Sequence, residues 1–274
     1  YILYMLIIHS INSVVNKLLQ NNQSVLFVHV FVCYNLLNVL AEYILKEYKK
    51  VFYRYETHLH TKEASACART LAKDYIKAYK DAGYAGIIVT DHFFNGNTAV
   101  PRNLPWKERV KLFCNGYENA AEEGYKENFH VFFGWEAGFC GTEFLIYGLD
   151  KEWLLEHDDI LSWSVKKQYR MVKEGGGMVI HAHPYREAPY IPEIRLYPDY
   201  VDGAEVYNVS NDNLDIMFNK RAYEYAKKHD LPMTGGSDIH SLPPMAGGME
   251  FNYELKSIQD FIDAVKNKKG MVIG

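Results

Sequence analysis

Two pairs of chemically capable residues, each separated by a single position, mark this sequence: His58-Leu59-His60 and Asp238-Ile239-His240. Side chains alternate between the faces of a strand, so each pair turns both groups to one side, ready to grip one metal ion. Asp91-His92, Glu136 and His181-Ala182-His183-Pro184 add groups of the same kind. Ions held by such ligands polarise phosphoryl or carbonyl oxygens and lower the pKa of water. Each piece has a plainer alternative. A lone HxH is as often a packed or surface pair, an Asp after a strand is a common helix N-cap, and Glu136 alone could be a buried, hydrogen-bonded carboxylate. Their joint placement at five strand ends points instead to one metal centre. His9, His29, His130, His157 and His229 lack this context and read as surface or packing residues.

The elements that must position these groups begin at Val51. Short β-branched or aromatic runs are expected as strands at Phe52–Thr57, Gly86–Thr90, Val131–Gly134, Phe144–Tyr147, Met178–Ile180, Ala204–Tyr207 and Pro232–Thr234. Amphipathic stretches predict helices over Leu71–Ala82, Lys107–Glu123, Ser164–Glu174, Leu214–His229 and Ser257–Lys266. Ile216, Ala222, Tyr223 and Ala226 fall on one helical stripe, and Gly175–Gly177 supplies a helix stop. The alternation is that of an α/β chain with a parallel sheet, closed into a barrel or near-barrel. In such a fold the C-terminal strand ends converge on one mouth, so residues as distant as His58 and His240 meet there.

Composition narrows the class. The 274 residues carry a net charge of -4, with 48% hydrophobic and 23% charged residues, which excludes disorder and collagen-like repeats. So small and acidic a charge argues against holding nucleic acid by broad electrostatics. Cys33, Cys67, Cys114 and Cys140 form no CxxC pair, so a reducing, cytoplasmic setting is expected. Residues 1–50 stand apart. They contain no Gly, Pro, Asp, Thr, Trp or Arg, and no formal charge lies between Leu18 and Ala41. That length could span a membrane, but Gln20, Asn21, Asn22, Gln23, His29, Asn35 and Asn38 interrupt it. The expectation is an atypical extension, either an appended helical pair or sequence upstream of the native start, with residues 51–274 as the chemical domain and no membrane partner unless the extension is an anchor.

The motifs His58-Leu59-His60-Thr61, Thr90-Asp91-His92, Gly134-Trp135-Glu136, Ala182-His183-Pro184 and Gly236-Ser237-Asp238-Ile239-His240 resemble, in order, those of the PHP family. This is the family of polymerase and histidinol phosphatase metal-dependent phosphoesterases, and the resemblance covers about residues 53–274. It implies a distorted (β/α)7 TIM-like barrel with two or three divalent ions, commonly zinc, manganese or iron, at the C-terminal strand ends. It further implies that His58, His60, Glu136 and Asp238 hold one ion, that Glu136 bridges to a second held by His183, and that His92 and His240 hold a third. Two positions depart from the pattern. Ser65-Ala66-Cys67 stands where a His or Asp is common, leaving Cys67 as a thiolate ligand or a small buried hydrophobe, with Glu63 able to reach in. Glu143 stands where a histidine often precedes the strand, which would favour harder ions such as Mn²⁺ or Fe²⁺.

The implied reaction is hydrolysis of a small phosphomonoester, as in histidinol phosphatases, by a hydroxide that the ions generate. Asp238 or a metal-facing His would take the proton, His240 or a metal-bound water would act as general acid, and Arg186 would clamp a phosphate oxygen or else pair with Glu187 or Glu193. Glu205 and Asn208 read as supports for the ligands, or Asn208 as an N-cap. Asn95, Asn97, Arg102 and Trp106, within the stretch from Phe93 to Lys107, are expected over the mouth, where they would select the leaving group. Tyr185, Tyr190 and Tyr197 could stack on a base or an imidazole. A nucleotide or oligonucleotide phosphoesterase, a metal-dependent amidohydrolase and a non-catalytic metal-stabilised module remain the alternatives. No basic, aromatic polynucleotide track is evident.

Overall fold

Strand β1 (Tyr53–Leu59) is buried on both faces from Tyr55 onward, so it lies at the centre of a sheet covered on both sides. The computed structural model describes Lys17, Tyr34, Asn35, Asn38 and residues 51–274. Contacts divide the chain into Tyr1–Val51 and Phe52–Gly274. The helical pair expected within residues 1–50 thus falls, but for four positions, outside the described residues, as does the uncharged stretch 18–41 but for three. Among the described residues no helix is long and apolar enough to cross a membrane.

After β1 come α1 (Ala72–Asp81), β2 (Tyr84–Val89), α2 (Trp106–Glu127), β3 (His130–Phe139), β4 (Thr142–Tyr147), α3 (Lys151–Glu156), α4 (Val165–Glu174) and β5 (Met178–Ala182). The chain continues through β6 (Gly203–Asn208), α5 (Val209–Asp212), α6 (Ile216–Lys228), β7 (Met233–Gly236), β8 (Gly248–Phe251), α7 (Ile258–Lys266) and β9 (Met271–Ile273). The helices form for recognisable reasons. Ala72, Tyr75, Ile76 and Tyr79 make one buried stripe on α1, while Ser257 and Asp260 close a capping box at the start of α7.

The nine strands lie in the order β7-β6-β5-β4-β3-β2-β1-β8-β9. The expected α/β barrel-like sheet is present and nearly closed, but it is mixed rather than parallel. β4 runs antiparallel to both β3 and β5, and β8 to both β1 and β9. The physical reason at β4 is its turn: Cys140 and Gly141 have φ of 51° and 90°, a left-handed pair suited to a two-residue hairpin, so no helix intervenes. β8 and β9 have only four and three residues, too short for a sequence pattern to mark. Closure is made directly between β1 and the end of β7. Thr57 Oγ1 donates to Gly235 O at 2.5 Å, Asp238 N to His58 O at 2.9 Å, and His60 N to Ile239 O at 3.0 Å.

One glycine connects the helical layer to the mouth. Gly116 of α2 lies so close to Thr61 that a Cβ there would collide with Thr61 Oγ1 and stand 2.9 Å from Asp91 Oδ2. Gly116→Ala is therefore expected to destabilise the fold by about 1–3 kcal/mol through overpacking, despite alanine's better helix propensity. Thermal denaturation checks this; an unchanged or raised melting temperature would show that α2 can back away at no cost.

Candidate metal centre

The ligand-bearing strands are stitched together at the mouth by their own backbones. Glu136 N donates to Asp91 O at 3.0 Å and Phe93 N to Glu136 O at 2.8 Å, so β2 and β3 deliver His92 and Glu136 side by side. β1 delivers His58 and His60 to one face, with ring centroids 5.1 Å apart. His183 follows β5 and Asp238 follows β7, with φ of 26° and 56°. Left-handed backbone is unfavourable for either residue type and persists here because the surrounding hydrogen bonds fix it.

Seven expected ligands meet in this space. Four groups of donor atoms lie within 4.8 Å of one another: His60, His92 and His240; His58, His60 and Glu136; His58, His183 and Asp238; His92, Glu136 and Glu143. Glu143 thus also joins, through His92 and Glu136. Cys67, the other departure from the pattern, is half-buried and belongs to none of these four groups. Glu63 turns away to cap Ala72 N. His181 stands two positions before His183, but the strand ends at Ala182 and the φ of 26° at His183 breaks the alternation, so His181 packs on Phe144 and Tyr225 instead; burial and His183 push its pKa down to about 3.

The residues fit divalent cations. His58 Nε2, His60 Nε2, His92 Nδ1 and Glu136 Oε2 are buried with no hydrogen-bond partner, yet all face the cluster. Surrounding acceptors set the tautomers that leave those atoms free. His58 Nδ1 lies 2.9 Å from Glu205 Oε1, and His240 Nδ1 lies 2.9 Å from Asp238 O. His60 Nδ1 lies 3.2 Å from Ser65 Oγ, whose own proton goes to Asp91 Oδ1 at 2.6 Å. Charges follow the crowding. Burial opposes protonation of His58, but Glu205, Asp238 and Glu136 raise its pKa well above the histidine norm; burial, with His92 and His240 nearby, drives His60 well below it. Glu143 is pushed up to about 7 by burial and Glu136, and the imidazoles bring the Cys67 thiol down to about 6 against the effect of burial.

Several supports were only partly legible. Glu205, expected as a support, takes His58 Nδ1 with one oxygen and accepts from His183 N at 2.9 Å with the other. Asn208 fills both of its expected roles, donating to Glu205 Oε2 and capping α5 through Asn211 N. Asp91 is not an N-cap; it accepts from Thr61 N, Thr61 Oγ1 and Ser65 Oγ, each at 2.6 Å. Glu56 was missed. It is fully buried and accepts from His58 N at 2.8 Å, Ser237 N at 3.0 Å and Tyr79 OH at 2.9 Å, and burial raises its pKa to about 7. Its position two residues before His58, on the same strand face, was the available signal.

Arg186 does not make the surface pair with Glu187 or Glu193. Those carboxylates pair with Arg221 and Arg195, while Arg186 is 9% exposed and reaches Asp238 Oδ2 at 2.5 Å, Asn211 Oδ1 at 2.7 Å and Asn208 Oδ1 at 3.0 Å. Trp106 is a second correction. It packs on Phe93 and Phe94 and donates to Leu154 O at 2.8 Å, because the loop before α2 tucks its aromatic residues inward. Arg102, Asn95 and Asn97 are exposed. Tyr197 packs on Phe144 and Tyr185 on Tyr225, while Tyr190 stays 59% exposed beside Arg186. Of the other histidines, His130 meets Glu254, His157 stacks on Trp153 and His229 packs on Tyr225; His9 and His29 lie outside the described residues.

The comparisons with known proteins bear out the PHP resemblance. The PHP_C family model, described as PHP-associated, matches residues 217–269. The fold resembles that of a two-domain protein containing a predicted PHP-like metal-dependent phosphoesterase from Bacteroides vulgatus (TM-score 0.57, 15% identity, 81% of this chain and 64% of that one). It also resembles a protein from Bifidobacterium adolescentis assigned as a metal-dependent phosphoesterase (0.51, 16%, 78% and 96%). A third likeness is to the lesion-specific endonuclease PfuEndoQ of Pyrococcus furiosus (0.54, 12%, 81% and 58%). The chain spans less than two thirds of the first and third of these. No curated protein matches the sequence.

Because one Glu205 oxygen fixes the His58 ring and the other the His183 backbone, Glu205→Gln is expected to weaken cation binding roughly 10–100-fold while the fold survives. Chelator competition measures this; wild-type affinity in the variant would remove Glu205 from the centre.

Proposed function

From the premise of a PHP-type barrel and its motif set, we propose that the chain is a metal-dependent phosphoesterase that hydrolyses a small phosphomonoester of the histidinol phosphate type. The observation that carries this reading is the convergence of His58, His60, His92, Glu136, His183, Asp238 and His240 from five strand ends into one buried group of donors. Two or three divalent ions, manganese, zinc or iron, would supply a polarised phosphoryl oxygen and a water of lowered pKa.

The chain's own residues do the rest. Glu205 holds the His58 ring with Nε2 forward, and Ser65 does the same for His60. Asp238 is held well below the usual carboxylate range, against its burial, by Arg186 and His58, so it is a ligand and a weak base rather than the proton acceptor. Arg186, kept rigid by Asp238, Asn208 and Asn211, presents fixed positive charge to the recess in front of the cluster. His240 could protonate the ester oxygen only from Nε2, the atom facing the cluster, because Nδ1 is held at Asp238 O. Either that nitrogen or a water at the mouth would protonate the leaving oxygen.

Support for a small substrate comes from that recess. It is bounded by Glu143, His183, Arg186, Ile191, Glu193 and Arg195. Carboxylates beside guanidinium groups suit a phosphomonoester that carries a cation at its far end, and suit a polyanionic strand less well.

The test is elemental analysis of the full chain with assays of p-nitrophenyl phosphate and histidinol phosphate, with and without added Mn²⁺. Two or three ions per chain and metal-dependent phosphate release are expected. His60→Ala and Asp238→Asn should each lower turnover by roughly a hundredfold or more, beyond the effect of losing a supporting residue, and remain folded. Full activity in either variant would overturn the site; bound metal without phosphate release would favour the amidohydrolase or the non-catalytic module.

A further inference from the structure

One edge of the sheet is unfinished. β9 pairs with β8 along one side and ends the strand order, so on its other side the main-chain donors and acceptors meet no strand among the described residues. The strand is held firmly all the same. Val272 packs against two hydrophobic clusters, and a Cβ on Gly235 of β7 would stand 2.6 Å from Val272 Cγ1. Two open grooves meet at β9 and share Val272. One, of about 480 Å³, is walled by Ala226, Leu231, Met233 and Met271; the other, of about 430 Å³, by Tyr84, Met245 and Ile273. Met271 is 49% exposed. Met233 opens β7, whose other end leads to Asp238, so the larger groove lies at the N-terminal strand ends, away from the metal-binding mouth. Its rim is cationic. Lys227 and Lys268 line it, and Lys228, Lys266 and Lys269 are exposed beside them in the chain. Lys268 pairs with Asp230 at 2.6 Å, while the other four make no ion pair among the described residues.

We propose that β9 is a docking edge for an extended segment of a partner protein, apolar at its centre and acidic at its flanks, which adds a strand alongside Met271–Ile273. An added strand takes up the free main-chain groups and sends alternate side chains to the two faces of the sheet, where apolar grooves can receive them. The acidic flanks meet the unpaired lysines. A second copy of the chain fits less well: β9 paired with itself sets one lysine rim within about 10 Å of the other, close to a Debye length, and like charges there repel.

The experiment titrates the full chain into a fluorescent peptide whose valine-isoleucine-valine centre lies between pairs of glutamates, and reads anisotropy. Saturable binding is expected, weakened by added salt and weakened about tenfold by Lys227→Glu combined with Lys269→Glu. N-methylation of one alternate set of peptide amides should abolish binding and of the other set should not, because an added strand turns only one set toward β9. Equal binding of a lysine-flanked peptide, unchanged binding in the charge-reversed variant, or no saturation by about 1 mM protein overturns the proposal, and the lysines then only guard the edge. A dimer of the unliganded chain that the peptide dissociates assigns the edge to a second copy and overturns it too. Should the double variant misfold by circular dichroism, the salt and N-methyl series on the wild type decide. Mn²⁺-dependent phosphate release is assayed on the same proteins and should be equal in both; its absence from both would sink the phosphoesterase reading and leave the docking edge standing.

Discussion

Glu136 is buried to 1% exposure with four imidazoles around it: His92 at 2.6 Å, His183 at 3.0 Å, His58 at 3.3 Å and His60 at 3.7 Å. Burying a carboxylate costs several kcal/mol unless positive charge compensates it. Imidazoles can compensate only if protonated, and protonated imidazoles this close repel one another: after burial, His92 and His240 hold His60 below the histidine norm. Divalent cations resolve the conflict, because each neutral imidazole then offers a lone pair where it would otherwise have to carry a proton. The architecture of the mouth follows from keeping these groups together.

That requirement explains where the barrel departs from regularity. A strand that ended at Gly134 would leave Glu136 on a loose turn; instead β3 continues for five more residues, paired in register with β4 through Phe139↔Thr142. Glu136 therefore sits mid-strand, its backbone bonded to β2 on one side and opposed by Leu145 on the other. Across the mouth, Glu56 holds the amides of His58 and Ser237 together, which fixes the distance between the β1 and β7 ligands. Both devices make the ligand geometry a property of the sheet rather than of loops, as precise positioning requires.

The helices and most strands were legible because apolar periodicity survives in a single sequence, as the Ala72, Tyr75, Ile76, Tyr79 stripe shows. The ligands were legible because HxH and DxH spacing encodes a shared face. What escaped was information carried by partners distant in sequence. The antiparallel hairpin hangs on the φ values of Cys140 and Gly141, which a Cys-Gly pair does not announce. Arg186 had nearer carboxylates in sequence, yet it pairs with Asp238. Glu56 and Asp91 look like ordinary strand-end acids until burial shows that their partners are amides and hydroxyls.

Charge balance then constrains what the mouth can receive. Glu136, Asp238, Glu143 and Glu205 face or border the cluster, and Arg186 is the one guanidinium in contact with it. With neutral imidazoles and all four acids ionised, the net charge is three negative, a field that repels a phosphate dianion. Two dications reverse its sign and a third strengthens the reversal, so anion binding and metal loading are coupled by electrostatics before any chemistry occurs. The raised pKa of Glu143 belongs to the same balance: without positive charge nearby, burial and Glu136 favour its protonated form up to about pH 7. A cation bound beside Glu136 and His92 would lower that pKa and recruit Glu143 as a ligand, so the oxygen-rich side of the centre would assemble as it fills.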